Sequence, residues 1–137
     1  MIYYNNETDF ELKNQKEITN WINAVIKNEN HTLVEVSYIF CDDKYLLTLN
    51  INYLEHDTLT DIISFDYSVG KQISGDIFIS IERIKENANT FKVAFNDELH
   101  RVIIHGVLHY CGYKDKTEVD KEEMRSKEDY YLSLRQF

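Results

Sequence analysis

The apolar positions of this chain follow two rhythms, one of three to four residues and one of two, and the rhythms divide it into segments. Ile18, Trp21, Ile22, Val25 and Ile26 recur at steps of three and four. That predicts a helix over 14–28 whose one apolar stripe covers a sheet. Ile2 to Tyr4 reads as a short strand ahead of it. From Thr32 to Phe40 the period becomes two, with Val34, Val36, Tyr38 and Phe40 on one face and Leu33 and Ile39 on the other, as in a half-buried strand. Cys41-Asp-Asp43 breaks this strand, and Asp42 or Asp43 can cap a following helix. Residues 44–54 fit both rhythms. Leu47, Leu49, Ile51 and Tyr53 alternate like a strand, whereas Leu46, Leu49, Asn50 and Tyr53 share one face of a helix.

Ile62 to Tyr67 is a further strand, Ser68 to Lys71 a turn, and Gly75 to Ile81 the cleanest alternation in the chain. A polar helix over 81–90 follows. The next helix starts at Phe95 or Asn96, takes Asn96 or Asp97 as N-cap, and runs to about Cys111. Thr117 opens the last helix, where Glu118 and Asp120 suit the positive end of the helix dipole. Met124, Tyr131 and Leu134 share part of one side, and the charges between them read as a solvated face.

With 137 residues, 43% hydrophobic and 28% charged, the chain has ordinary globular composition and predicts one domain over 1–137. No apolar run reaches the roughly 18 residues of a membrane span. The opening MIYYNNETDFEL is polar and acidic, unlike a signal peptide, so a cytoplasmic location is expected. Cys41 and Cys111 make no disulfide framework and read as buried thiols. The net charge of −9 disfavours tight non-specific binding to nucleic acid, so any RNA site must be locally basic or rely on a metal or a partner.

The chemistry concentrates on the 95–111 helix. On a wheel of about 100° per residue, Leu99, Ile103, Val107 and Tyr110 cover one side, extended by Ile104 and Cys111. Glu98, Val102, His105 and His109 lie opposite, with Arg101 at the edge. A helix that is apolar nearly all round is buried, and a polar stripe on it must be paired, hydrated or metal-bound. His105 and His109, four apart, present two imidazoles on one face; Gly112 can end the helix in the left-handed conformation, and Asp115 can then fold back as a third ligand. Two imidazoles and a carboxylate leave a fourth position open, the catalytic rather than the structural zinc pattern. Cys111 points roughly 200° away from His109 and is not expected to join them. Zinc proteases with His-Glu-x-x-His use that glutamate as base; here Gly106 occupies its place, which disfavours peptide hydrolysis. A zinc-coordinated water with a pKa of about 7 suits a phosphodiester instead.

The run His105-Gly-Val-Leu-His109-Tyr-Cys-Gly112-Tyr113 resembles the signature His-Gly-x-Leu-His-Leu-x-Gly-Tyr-Asp-His of the YbeY family, bacterial metal-dependent endoribonucleases of ribosomal RNA maturation. Leu49-Asn50-x-x-Tyr53, Asp57, Thr60-Asp61-Ile-Ile-Ser64-Phe65 and Gly75-Asp76-Ile-Phe-Ile look like other family blocks, and Met124 and Glu128 fit its C-terminal helix, so the resemblance covers about residues 31–132. It implies a helix over 44–54. It implies an α+β, zincin-like fold, with a mixed sheet of about four strands covered by about five helices and the ligand helix central. It also implies a zinc-dependent, single-strand-specific endoribonuclease acting in 3′-end processing of 16S ribosomal RNA and in ribosome quality control. One zinc ion (another divalent metal being possible), single-stranded RNA and the small ribosomal subunit with its proteins are the implied cofactor and partners; a monomer is expected.

Two departures stand out. The family's third histidine falls at Asp115, a competent zinc ligand that adds one negative charge. The family's arginines beside the Asn-x-x-Tyr block are replaced by Ile51 and Leu54, so Arg101, as a catalytic group, or Lys114 is a candidate to supply the missing cation, and both also read as ordinary surface charges. Of the remaining candidates, His31 reads as exposed, His56 as a solvated loop residue able to approach the site, and His100 as packing or capping. Asp61 and Asp76 read as caps or as partners of a ligand histidine. Two other functions fit the same residues, a non-catalytic ribosome-assembly factor with a structural metal and a metal hydrolase of another substrate.

Overall fold

A computed structural model describes residues 1–54 and 59–137. His56 and Asp57 lie outside the described residues. The elements run β1 (Ile2–Asn6), α1 (Gln15–Asn28), β2 (Thr32–Cys41), α2 (Asp43–Leu54), β3 (Ile62–Asp66), β4 (Gln72–Ser80), α3 (Ile81–Phe91), α4 (Phe95–Tyr110) and α5 (Glu118–Ser133). The sheet order is β1-β2-β4-β3. β1, β2 and β4 are parallel, and β3 returns antiparallel on β4 through the turn at Gly70. The fold is thus α+β, with a mixed four-stranded sheet and five helices, as the sequence predicts.

The period-two segments bury alternate side chains as they must. Val36, Tyr38 and Phe40 of β2 and Ile73, Ile77 and Ile79 of β4 form one core with the apolar faces of α1 and α4. Val34, placed on the same face by strict alternation, is instead 48% exposed. The pairing passes from Leu33↔Ile73 to Glu35↔Ser74, so Val34 is the extra residue of a bulge and the side-chain alternation restarts after it. On the sheet's other face Cys41, Leu46 and Ile63 make a smaller cluster with Leu49, Phe65 and Phe78. That cluster decides residues 44–54 in favour of a helix, because Leu46 and Asn50 are buried while Ile51 is exposed. Asp42 caps it by accepting from the Tyr45 amide at 2.8 Å.

α4 lies at the centre, touching α1, α3, α5, β3 and β4. Its N-cap is Ala94, which makes no side-chain cap bond; Asn96 and Asp97 fall inside the first turn. At its other end the Tyr110 hydroxyl reaches the carbonyls of Phe65 and Asp76 at 2.9 and 3.2 Å. Gly75 makes room for that contact, since a Cβ there would stand 2.4 Å from both the Phe65 carbonyl oxygen and the Tyr110 hydroxyl. The C-terminal turn of the ligand helix is therefore held on the sheet one residue after His109. In α5, Met124 and Tyr131 are buried, but Leu134 is 50% exposed because it is the C-cap, beyond the apolar face.

Candidate metal centre

α4 ends where a chain reversal is needed. The Tyr113 amide donates to the Leu108 carbonyl and the Gly112 amide to the His109 carbonyl, with Gly112 at φ 104°, which is the paired bonding of a Schellman motif. The reversal leaves Lys114 exposed and carries Asp115 back over the helix. Thr117 then starts α5 with a reciprocal capping box to Asp120. α5 runs back along α4 and lays Glu128, 4% exposed, beside His105.

His105 Nδ1 lies 2.6 Å from Glu128 Oε2, and His109 Nδ1 lies 2.9 Å from the Tyr113 carbonyl oxygen. A carboxylate and a carbonyl can only accept, so each imidazole donates from Nδ1 and, when neutral, keeps the Nε2 lone pair free. Both Nε2 atoms face Asp115 Oδ2, each at 3.3 Å. Two lone-pair nitrogens and a carboxylate oxygen thus converge with no donor among them. Three acceptors aimed at one point repel unless a cation lies between them. His105, His109 and Asp115 offer ligand atoms all within 4.8 Å of one another, a spread that one divalent ion spans. The residues fit a metal, with the two Nδ1 partners orienting the ligands.

The electrostatics agree with that assignment. Burial alone would lower the His105 pKa, but the bond from Glu128 and the charges of Glu128, Asp115 and Asp61 outweigh it and raise it. A site that favours a proton on His105 favours a metal there too. Glu128 is itself held by Arg101, whose Nη1 donates to Oε1 at 2.8 Å while Nη2 meets Asp129 at 2.6 Å. Beside the triad opens a cleft of about 410 Å³ whose walls include Asp61, Asn87, Phe91, Glu98, Arg101 and Arg125. Burial pushes the carboxyls of Asp61 and Glu98 upward, and for Glu98 the charge of Asp61 adds to it.

The three expected ligands come together. Arg101 lines the cleft but spends both terminal nitrogens on carboxylates, and Lys114 is not among the cleft's lining residues. Cys111 is half-buried, with burial pushing its thiol up to about 12, which keeps it protonated and outside the ligand group. His100 is buried on the far side of α4 against Trp21 and Phe137. His31 is partly buried, its Nδ1 2.6 Å from the Glu29 carbonyl oxygen. Asp61 faces the cleft, and its carboxylate accepts from the Asn87 amide at 3.4 Å; Asp76 lies by Tyr67, away from it. Arg125 was missed, absorbed into the charged face of the last helix, and Glu128, matched to the family's C-terminal helix, was given no role at the site. Glu128 had a signal: it sits four residues after Met124 and three before Tyr131, on the buried stripe itself.

The chain is similar to known proteins along nearly its whole length. The family described as Endoribonuclease YbeY matches residues 2–135. A relative from Flavobacterium psychrophilum named Endoribonuclease YbeY is 60% identical over 134 residues, spanning 98% of this chain and 96% of its own. One of the same name from Flavobacterium johnsoniae is 58% identical over 134 residues, with the same coverage of both chains. A Thermotoga maritima protein solved in solution superposes with a TM-score of 0.69 at 27% identity, over 97% of this chain and 87% of that one.

Proposed function

This chain belongs to the YbeY endoribonuclease family, and from that membership we propose that it is a zinc-dependent endoribonuclease acting on single-stranded RNA during maturation of the 3′ end of small-subunit ribosomal RNA. His105, His109 and Asp115 hold the metal. The observation that carries this reading is the convergence of two imidazole Nε2 atoms and one carboxylate oxygen with no donor between them.

A divalent ion bound there supplies a Lewis acid for a phosphoryl oxygen and lowers the pKa of a coordinated water. The chain's own residues do the rest. Glu128 and the Tyr113 carbonyl fix the tautomer and the ring angle of both histidines. Arg101, on the cleft wall, holds Glu128 in place. Arg125, exposed on that wall and without an ion pair among the described residues, is placed to hold the substrate phosphate in the role of the family arginines replaced by Ile51 and Leu54. A metal held by these three residues, all of which line the cleft, would be reachable by substrate from it, which suits catalysis better than a closed structural site. The reading extends to a single-domain, monomeric, cytoplasmic protein that meets its RNA on the small ribosomal subunit.

Metal content and RNA cleavage measured for wild type, His109→Ala and Asp115→Ala test it. Wild type is expected to carry about one zinc per chain and to cut single-stranded RNA, with both variants losing metal and at least about a hundredfold in activity. Unchanged metal occupancy in Asp115→Ala would remove that residue from the ligand set.

A further inference from the structure

The cleft holds a group that the metal centre does not use. Glu98 is 5% exposed and lines the cleft, yet its carboxylate makes no hydrogen bond or ion pair among the described residues. Its oxygens open onto the cleft, where a ligand that brings donors can take the place of water. The metal cannot be that ligand. Glu98 stands seven residues before His105, roughly 10 Å along the helix axis, whereas metal–ligand bonds are about 2 Å. Nor is there a second ion in view, because among the described residues only His105, His109 and Asp115 form a group of three such side chains. Ten ångströms does match the step from a reacting phosphate to the base of an adjoining nucleotide.

The chemistry of the walls says what kind of base. Asn87 commits its amide nitrogen to Asp61, which leaves its carbonyl oxygen as an acceptor. Glu98 and Asp61 thus offer acceptors beside the charges of Arg101 and Arg125, and an occupant that engages these carboxylates brings N–H donors. A phosphate brings only acceptors and belongs with Arg125. Uracil offers one N–H between two carbonyls. Guanine presents N1–H and N2–H side by side, matching the two oxygens of one carboxylate as a guanidinium does. At the mouth of the cleft Phe91, the last residue of α3, is 55% exposed and packs against no other ring among the described residues. A free aromatic face at the edge of a nucleotide-sized cleft is a stacking platform.

We propose that the cleft between α3 and α4 is a nucleobase subsite adjoining the metal centre, in which Phe91 stacks on a guanine and Glu98 accepts from its N1–H and exocyclic N2–H. The inference rests on the reading of single-stranded RNA as substrate, and makes the enzyme selective for guanine beside the cut. GMP and UMP titrated separately into isotope-labelled protein, followed by amide NMR, test it. GMP is expected to shift the amides around Phe91 and Glu98 and to bind at least about tenfold more tightly than UMP. Glu98→Gln, with one oxygen replaced by a donor, should bring the two affinities within about threefold. Phe91→Leu, at an exposed position that leaves the core intact, should weaken GMP about tenfold or more. Equal affinity of wild type for GMP and UMP, or GMP shifts confined to other surfaces, would overturn the subsite. If the metal-loaded protein still cuts RNA in that case, the nuclease reading survives without it. Guanine preference in a protein that cuts no RNA would keep the subsite and sink the nuclease reading.

Discussion

His100 and His105 sit five residues apart on one helix and are driven in opposite directions by their surroundings. Glu128, Asp115 and Asp61 raise His105 against its burial. His100 is 6% exposed and its Nδ1 accepts from Arg135 Nη1 at 2.7 Å, a bond that only the neutral ring can make. Burial and the Arg135 charge push it down to about 4, with Asp97 opposing. Its folded value lies below the ordinary one near 6.5, so the unfolded chain takes up the proton first. The stability that neutral His100 contributes is complete above about pH 6.5 and is lost as pH falls toward about 4, on the order of 3 kcal/mol in all. Urea midpoints measured at pH 7 and pH 4.5 should therefore fall less in His100→Gln than in wild type. An equal fall in both proteins would place the acid-sensitive group elsewhere.

Two glycines set how closely α4 meets the sheet, and they differ in what limits them. At Gly75 an added Cβ would stand 2.4 Å from the backbone oxygen of Phe65, which cannot move without breaking the β3–β4 ladder. At Gly106 it would meet the terminal methyl of Ile77 at 2.9 Å and that of Ile62 at 3.2 Å, and both can turn aside. Alanine at 106 also gains about 1 kcal/mol of helix propensity over glycine. Chemical denaturation should show Gly75→Ala destabilised by at least about 2 kcal/mol and Gly106→Ala within about 1 kcal/mol of wild type. Equal losses would mean that the Gly106 contact is as rigid as the ladder. Because Tyr110 docks over Gly75, the first substitution should also disturb His109, one residue away.

The whole molecule carries a net charge of −9, and the cleft offers Arg101 and Arg125 as its cations. Arg101 is already neutralised by Glu128 and Asp129, so few condensed counterions are displaced when RNA binds. For single strands the logarithm of affinity falls with the logarithm of salt by about 0.7 per phosphate neutralised. Binding of a short single-stranded RNA, followed by fluorescence anisotropy between about 50 and 200 mM salt, should give a slope no steeper than about −2. A slope near −5 would mean about seven phosphates neutralised, more than the two arginines of the cleft provide. Weak charge attraction leaves recognition to short-range contacts within the cleft.

The sequence by itself determined the features that depend on neighbours a few residues apart. Helix and strand periods, a cap at Asp42 or Asp43, the helix start at Thr117, the two imidazoles on one face of α4, and the reversal at Gly112 that returns Asp115 are all local geometry. Residues 44–54 lay at the limit of that reach, since both periods fit; the family pattern pointed to a helix, and burial of Leu46 under the second face of the sheet agrees. Tertiary structure alone decided the rest. Glu128 reaches His105 across 23 residues of chain, Phe91 and Asn87 come to the cleft from α3, and Arg101 is turned from a free cation into the partner of Glu128. Val34 left the buried face through a bulge that no local signal announced. Each of these follows from which helix packs on which, and packing is set by the fit of whole apolar faces rather than by any short stretch of residues.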